Sequence, residues 1–145
     1  MQKILTIGLF AVTALLFTAC GTFAGKTPAQ PAGEAQSSYH KISAKEAKAR
    51  MDSGDAAVIL DVRTPGEFAE KHIPGAISLP NETIGNQPPA ELPDRNAEIL
   101  VYCRSGNRSA QAAKKLAAMG YTKLYDFGGI KDWPYETVSG KGGAQ

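Results

Sequence analysis

The run Glu98-Ile-Leu-Val-Tyr-Cys103-Arg-Ser-Gly-Asn-Arg108-Ser109 carries an apolar stretch into a cysteine, then into a short polar segment closed by arginine. The apolar stretch reads as a buried strand, which places the thiol at a strand's end. The residues after it lead into a helix, so successive backbone N–H groups and the positive end of a helix dipole surround the sulfur. Such a setting lowers a thiol pKa from roughly 8.5 into the range of about 3.5 to 7.5, which makes the thiolate the resting form at neutral pH. Gly106 permits the tight path of the loop. Ser105 and Ser109 offer hydroxyl donors, and Arg108 can fork its hydrogen bonds to an oxyanion or to a structural carboxylate. A cysteine is often a small buried hydrophobe, but Arg104, Ser105, Gly106, Asn107, Arg108 and Ser109 are poor company for a core thiol. The segment reads as a nucleophile that handles a small anion.

The cysteine count supports this reading. The only other cysteine, Cys20, falls in a targeting segment. Lys3 gives a short basic start, residues 4–19 are uncharged and mostly apolar, and Leu16-Phe17-Thr18-Ala19-Cys20 follows. That run is shorter than the roughly 20 apolar residues of a spanning helix and suits a secretory signal peptide over residues 1–19. Its end resembles a bacterial lipoprotein lipobox, which implies lipidation of Cys20. Phe17 departs from that pattern, which usually has leucine or another aliphatic residue there; an uncleaved anchor helix or ordinary cleavage nearby are the competing readings. The expectation is an exported lipoprotein, held at a membrane by its lipid and facing the periplasm or the cell exterior. Gly21 after the cysteine resembles the pattern of lipoproteins not retained at an inner membrane. Cys103 is then an unpaired thiol in an exported chain, a candidate reactive group.

Composition bounds the rest. The chain has 145 residues, 43% hydrophobic and 21% charged, which suits one globular domain with a modest core. A formal net charge of +2 is too small for a nucleic-acid binder, so anion recognition must come from local charge. Residues 20–38 form a Gly/Ala/Pro/Gln/Ser/Thr-rich flexible linker, residues 39–138 the domain, and residues 139–145 a glycine-bearing tail.

Within the domain, Ser43 to Glu46 reads as a capping box that opens a helix with Ala44, Ala47 and Met51 on one face, stopped at Gly54-Asp55. Residues 56–60 form a buried strand ending at Asp61. Thr64-Pro65-Gly66-Glu67 starts a short helix, with Thr64 as N-cap and Glu67 closing the box. His72-Ile-Pro-Gly turns into a strand over residues 76–79, and residues 81–96 are mostly loop with one short helical turn. Residues 99–102 form a second strong strand. Residues 108–119 form a helix with Ala110, Ala113, Leu116 and Ala117 on one face and Gly120 as its stop. Residues 123–127 form a further strand broken by Gly128-Gly129, and residues 130–133 start a short final helix. Strands alternate with helices, so the fold class is α/β: a mainly parallel sheet with helices on both faces and the site beyond the strands' carboxyl ends. Asp61 and Cys103 both fall there. Asp61, at the end of an apolar strand, needs a partner, and Arg63 or Arg108 can serve; Glu67 pairs with Arg63 in this reading. His72 reads as structural, Trp133 as core packing and His40 as inert.

With these residues in place, Cys103-Arg-Ser-Gly-Asn-Arg108-Ser109 resembles the active-site loop of the single-domain rhodaneses, the sulfurtransferases. Leu60-Asp-Val-Arg63, then Glu67-Phe68 and His72-Ile-Pro-Gly-Ala76, is similar to that family's upstream motif, and Phe127-Gly-Gly-Ile-Lys-Asp-Trp133 to its closing segment. The resemblance implies a three-layer α/β/α fold and a persulfide mechanism. In it Cys103 takes a sulfane sulfur from thiosulfate or a polysulfide and yields it to cyanide or a thiol. It implies that loop N–H groups cradle the anion, that Arg104 attracts it from solvent, and that no metal or organic cofactor takes part. Six residues from Cys103 to Arg108, both counted, make a loop one residue shorter than in cell-cycle phosphatases of similar fold, which implies a sulfur atom rather than a phosphate as the target. A sulfur-carrier or redox-interaction module without turnover on the same fold is the alternative.

Overall fold

The computed structural model describes residues 39–141. The expected signal peptide, Cys20, the expected linker and residues 142–145 of the tail lie outside the described residues. No helix among the described residues is long and apolar enough to cross a membrane.

Five parallel strands form one sheet in the order β1-β5-β4-β2-β3. They are β1 (His40–Lys41), β2 (Val58–Asp61), β3 (Ile77–Ser78), β4 (Glu98–Cys103) and β5 (Lys123–Gly129), with helices α1 (Ala44–Asp52), α2 (Pro65–Glu70) and α3 (Asn107–Ala118) between them. The central strands β2 and β4 are apolar because both sheet faces are covered. Along β4 the pleat alternates: Ile99, Val101 and Cys103 join the layer of Leu60, Val62, Ala112 and Leu116 under α3. Leu100 and Tyr102 join Ala47, Phe68, Phe127 and Trp133 under α1 and α2. Truncating a fully buried member such as Leu100 to alanine costs about 2–5 kcal/mol.

The local signals of α2 act as its sequence suggests. Thr64 Oγ1 accepts from the Glu67 N–H, and the Glu67 carboxylate accepts from the Thr64 N–H at 3.1 Å. At α1 only half of the expected box forms: Ser43 Oγ accepts from the Glu46 N–H, and Glu46 gives no return bond. The buried face of α3 is Ser109, Ala112, Ala113 and Leu116, rotated from the expected one, with Ala110 and Ala117 half-buried. His72 is structural: its ring stacks on Phe68 at 3.9 Å between centroids, and its Nδ1 lies 2.8 Å from the Phe68 carbonyl. Trp133 is buried and donates Nε1–H to the Glu136 carbonyl.

One expectation about β5 is overturned. Gly128-Gly129 does not end the strand, which runs through Gly129. Val101 pairs with Asp126 but Cys103 pairs with Gly129, so β5 carries one extra residue. This is a β-bulge, which bends its strand and re-aims the residues beyond it. Gly128 takes φ +88°, and its N–H donates to Asp126 Oδ1 at 3.0 Å.

Candidate active site

Strand β4 delivers Cys103 to the carboxyl end of the sheet, and Gly106, in the left-handed region at φ +96°, turns the chain into α3. No side chain caps this helix end, so its first N–H groups are without intrahelical partners. Three N–H groups at this turn, those of Ser105, Gly106 and Ser109, act on the sulfur. The Gly106 N–H donates to Cys103 Sγ at 3.0 Å, and Ser109 Oγ lies 3.7 Å from it. Burial pushes the Cys103 thiol up. The backbone N–H and hydroxyl of Ser109, with the N–H groups of Ser105 and Gly106, outweigh that and hold the thiol below its ordinary value. The cradle is thus narrower than the whole loop. The residue is only 1% exposed, so an attacking group must bring a small atom to the floor of the loop.

Ser109 also ties the floor together. Its hydroxyl reaches the Gly106 carbonyl at 3.1 Å and the Gly128 carbonyl at 3.4 Å. It has one proton, so donation to a thiolate competes with donation to these carbonyls.

Arg108 does not face the anion site alone. Its Nη1 and Nη2 donate to Glu67 Oε2 and Oε1 at 2.8 and 2.9 Å. This corrects the expected pairing of Glu67 with Arg63. It also means that Arg108's fork is taken up by a structural carboxylate. The Arg108 guanidinium beside Glu67 holds that carboxyl down at about 2, well below the usual range. Arg63 belongs to Asp61 instead. Its Nε lies 2.9 and 3.0 Å from the two carboxylate oxygens, and its Nη2 also donates to the Lys71 carbonyl. Burial works against the charge on Arg63, and the bonds to Asp61 outweigh it. Asp61 is fully buried, pairs in register with Tyr102 and, after burial, helps keep the Tyr102 hydroxyl protonated. That oxygen accepts from the Ile73 N–H at 3.1 Å.

The structure therefore brings Cys103, Ser105, Gly106 and Ser109 together around one sulfur. Asp61 and Arg63 form a buried prop at the end of the neighbouring strand β2, and Asn107 and Arg104 are exposed on the loop. Arg104 lines a cavity of about 310 Å³ with Arg63, Glu67, Glu70, Lys71, Ile130 and Lys131. Sequence reasoning missed Gly129 as a site residue. A Cβ there would collide with the Arg104 carbonyl and come within 2.7 Å of the Ser105 Cα, so only glycine lets the bulge and the loop touch. The Gly-Gly pair is the available signal, and in sequence it reads as a strand breaker. No group of residues suited to holding a metal ion occurs among the described residues.

Comparison with known proteins places the chain in a family. A family model described as a rhodanese-like domain matches residues 43–135. Thiosulfate sulfurtransferase PspE of Escherichia coli strain K12 is 37% identical over 81 residues, covering 56% of this chain and 78% of that protein. Thiosulfate sulfurtransferase GlpE of Pseudomonas syringae pv. syringae is 34% identical over 107 residues, covering 70% and 97%. Among solved structures, a rhodanese with anions from E. coli superposes with a TM-score of 0.54 at 36% identity, covering 59% of this chain and all of the other.

Proposed function

This chain belongs to the rhodanese-like domain family, among thiosulfate sulfurtransferase relatives, and we propose that it moves a sulfane sulfur through a persulfide on Cys103. The Cys103 thiolate attacks the outer sulfur of thiosulfate. A bond forms between the two sulfurs, the bond to the sulfite group breaks, and sulfite leaves with the electron pair. An acceptor such as cyanide or a thiolate then attacks the terminal sulfur and returns Cys103 as a thiolate. One transfer is thereby split into two displacements. The single observation that carries this reading is the sulfur held at 3.0 Å from the Gly106 N–H, with its pKa lowered despite burial. The same amides that stabilise the thiolate also face the persulfide and the charge developing in either displacement.

The test is intact mass after exposure to thiosulfate. The expected result is a gain of one sulfur atom, lost on adding cyanide and absent in Cys103→Ser. No adduct on the wild-type chain overturns the reading. Persulfide that forms but does not turn over with cyanide favours the carrier alternative.

Export and lipid anchorage through Cys20 belong to the same proposal, supported by Lys3, the apolar residues 4–19 and the lipobox-like end. Labelled fatty acid should enter the wild-type chain in a bacterial host and not Cys20→Ser.

A further inference from the structure

Two of the arginines nearest the cysteine loop are spent on structure: Arg63 on Asp61 and Arg108 on Glu67. Their charges are cancelled by those carboxylates, so they add little attraction for a doubly charged donor. The cavity beside the loop has three other cations on its walls, Arg104, Lys71 and Lys131, all exposed and with no carboxylate within ion-pair distance among the described residues. The same cavity is lined by Glu70, an acid with no ion-pair partner among the described residues. The wall contributed by Ile130 is apolar, and the volume of about 310 Å³ holds roughly ten waters at ~30 Å³ each, room for a hydrated oxyanion.

Of the two lysines, Lys131 is the one whose backbone is tied to the loop. Its backbone N–H donates to the Arg104 carbonyl at 3.4 Å, directly after Cys103 in the chain. The bulge that ends in Gly129 brings this segment up against Arg104 and Ser105. Arg104 and Lys131 therefore line one cavity from two elements tied by a backbone bond, whereas Lys71 comes from the end of α2.

Resting on the persulfide reading above, we propose that Lys131 is a specificity-determining residue: its ammonium acts with Arg104 to select doubly charged sulfur donors over singly charged ones. It transfers no proton and touches no reacting sulfur; it raises the local concentration of the dianion at the mouth of the loop. Because the tie to Arg104 runs through the backbone, replacing the side chain removes the charge and leaves the tie.

The experiment is steady-state sulfur transfer to saturating cyanide, with thiosulfate as the dianion and an aryl thiosulfonate as the monoanion. It compares wild type, Lys131→Gln, Lys131→Glu and, as control, Lys123→Gln at the exposed opposite end of β5. Lys131→Gln should raise the KM for thiosulfate about three- to five-fold, the scale of an exposed charge pair, with kcat within about two-fold. The effect on the monoanion should be smaller. Lys131→Glu should go further, and high salt should erase the differences. An unchanged KM, an equal effect in Lys123→Gln, an equal effect on both donors, or a loss confined to kcat overturns the assignment. A wild type that takes up no sulfur at all sinks the persulfide reading as well; one that turns over normally beside an unchanged Lys131→Gln sinks the Lys131 assignment alone.

Discussion

Arg108, the last residue of the cysteine loop, grips Glu67 in the capping box of α2 through two bonds of 2.8 and 2.9 Å. One carboxylate therefore does two jobs: it closes the start of α2 and anchors the start of α3. The loop is held at its far end by a helix 41 residues earlier in the chain.

The first prediction concerns that carboxylate. Its folded pKa of about 2 lies below the ordinary 4.5. A depressed acid contributes stability that is complete above its unfolded pKa and lost as pH falls through the folded one. Denaturant titrations of wild type should show a falling limb between about pH 4.5 and pH 2. Glu67→Gln should lose about 1 kcal/mol at neutral pH, the upper range for a partly exposed pair, and flatten that limb. An unaltered limb would mean that the pair contributes nothing to folding.

A second prediction concerns the thiol. With its pKa lowered, the rate of Cys103 alkylation should reach half its plateau below the roughly pH 8.5 of a free cysteine. The thiolate's contribution to stability should be present above that unfolded value and fade as pH drops through the folded one. Ser109→Ala removes one hydroxyl bond to the sulfur but none of the amides. It should shift the midpoint upward while leaving it below that of a free thiol. Following thiolate absorbance against pH checks both; an unmoved midpoint would assign the whole effect to the backbone.

Much of this site was legible because its signals are local. Thr64, Pro65 and Glu67 start α2 within one turn, and Ile99 to Tyr102 declare a strand buried on both faces. What escaped is non-local. The partner of Arg108 lies far away in sequence, and spacing offered Arg63 to Glu67 just as readily. Strand β1 has two exposed residues, too few for a pattern. The face of α3 was misjudged because Ser109, a polar residue, is buried where it serves the loop rather than the core. The bulge in β5 is invisible as periodicity, since one extra residue merely shifts the alternation.

The third prediction tests the buried prop. Asp61 is fully buried and Arg63 nearly so. Asp61→Ala leaves a guanidinium in the interior without its carboxylate, which should cost about 3–5 kcal/mol. Replacing both residues by apolar ones of similar size should recover much of that loss, because the desolvation of two charges disappears with them. A double variant as unstable as the single one would show that the Arg63 bond to the Lys71 carbonyl, rather than the ion pair, is what the fold needs.

The last prediction separates catalysis from folding at Gly129. Its φ is −120°, ordinary extended backbone, so alanine there is not strained by conformation. The obstacle is contact alone: a methyl group would overlap the Arg104 carbonyl and crowd the Ser105 Cα. Either the loop moves off the bulge or β5 slides away from β4, and the loop is the weaker element because it has exposed residues on its outer side. Gly129→Ala should therefore destabilise the domain by about 1–3 kcal/mol, the range for overpacking. It should also raise the Cys103 pKa by displacing the Ser105 and Gly106 amides. Gly128→Ala makes the opposite comparison, since it meets open space but needs φ +88°. It should cost stability through backbone strain while leaving the thiol midpoint where it was. If the two variants shift the midpoint equally, close packing of Gly129 against the loop is not what sets the sulfur's environment.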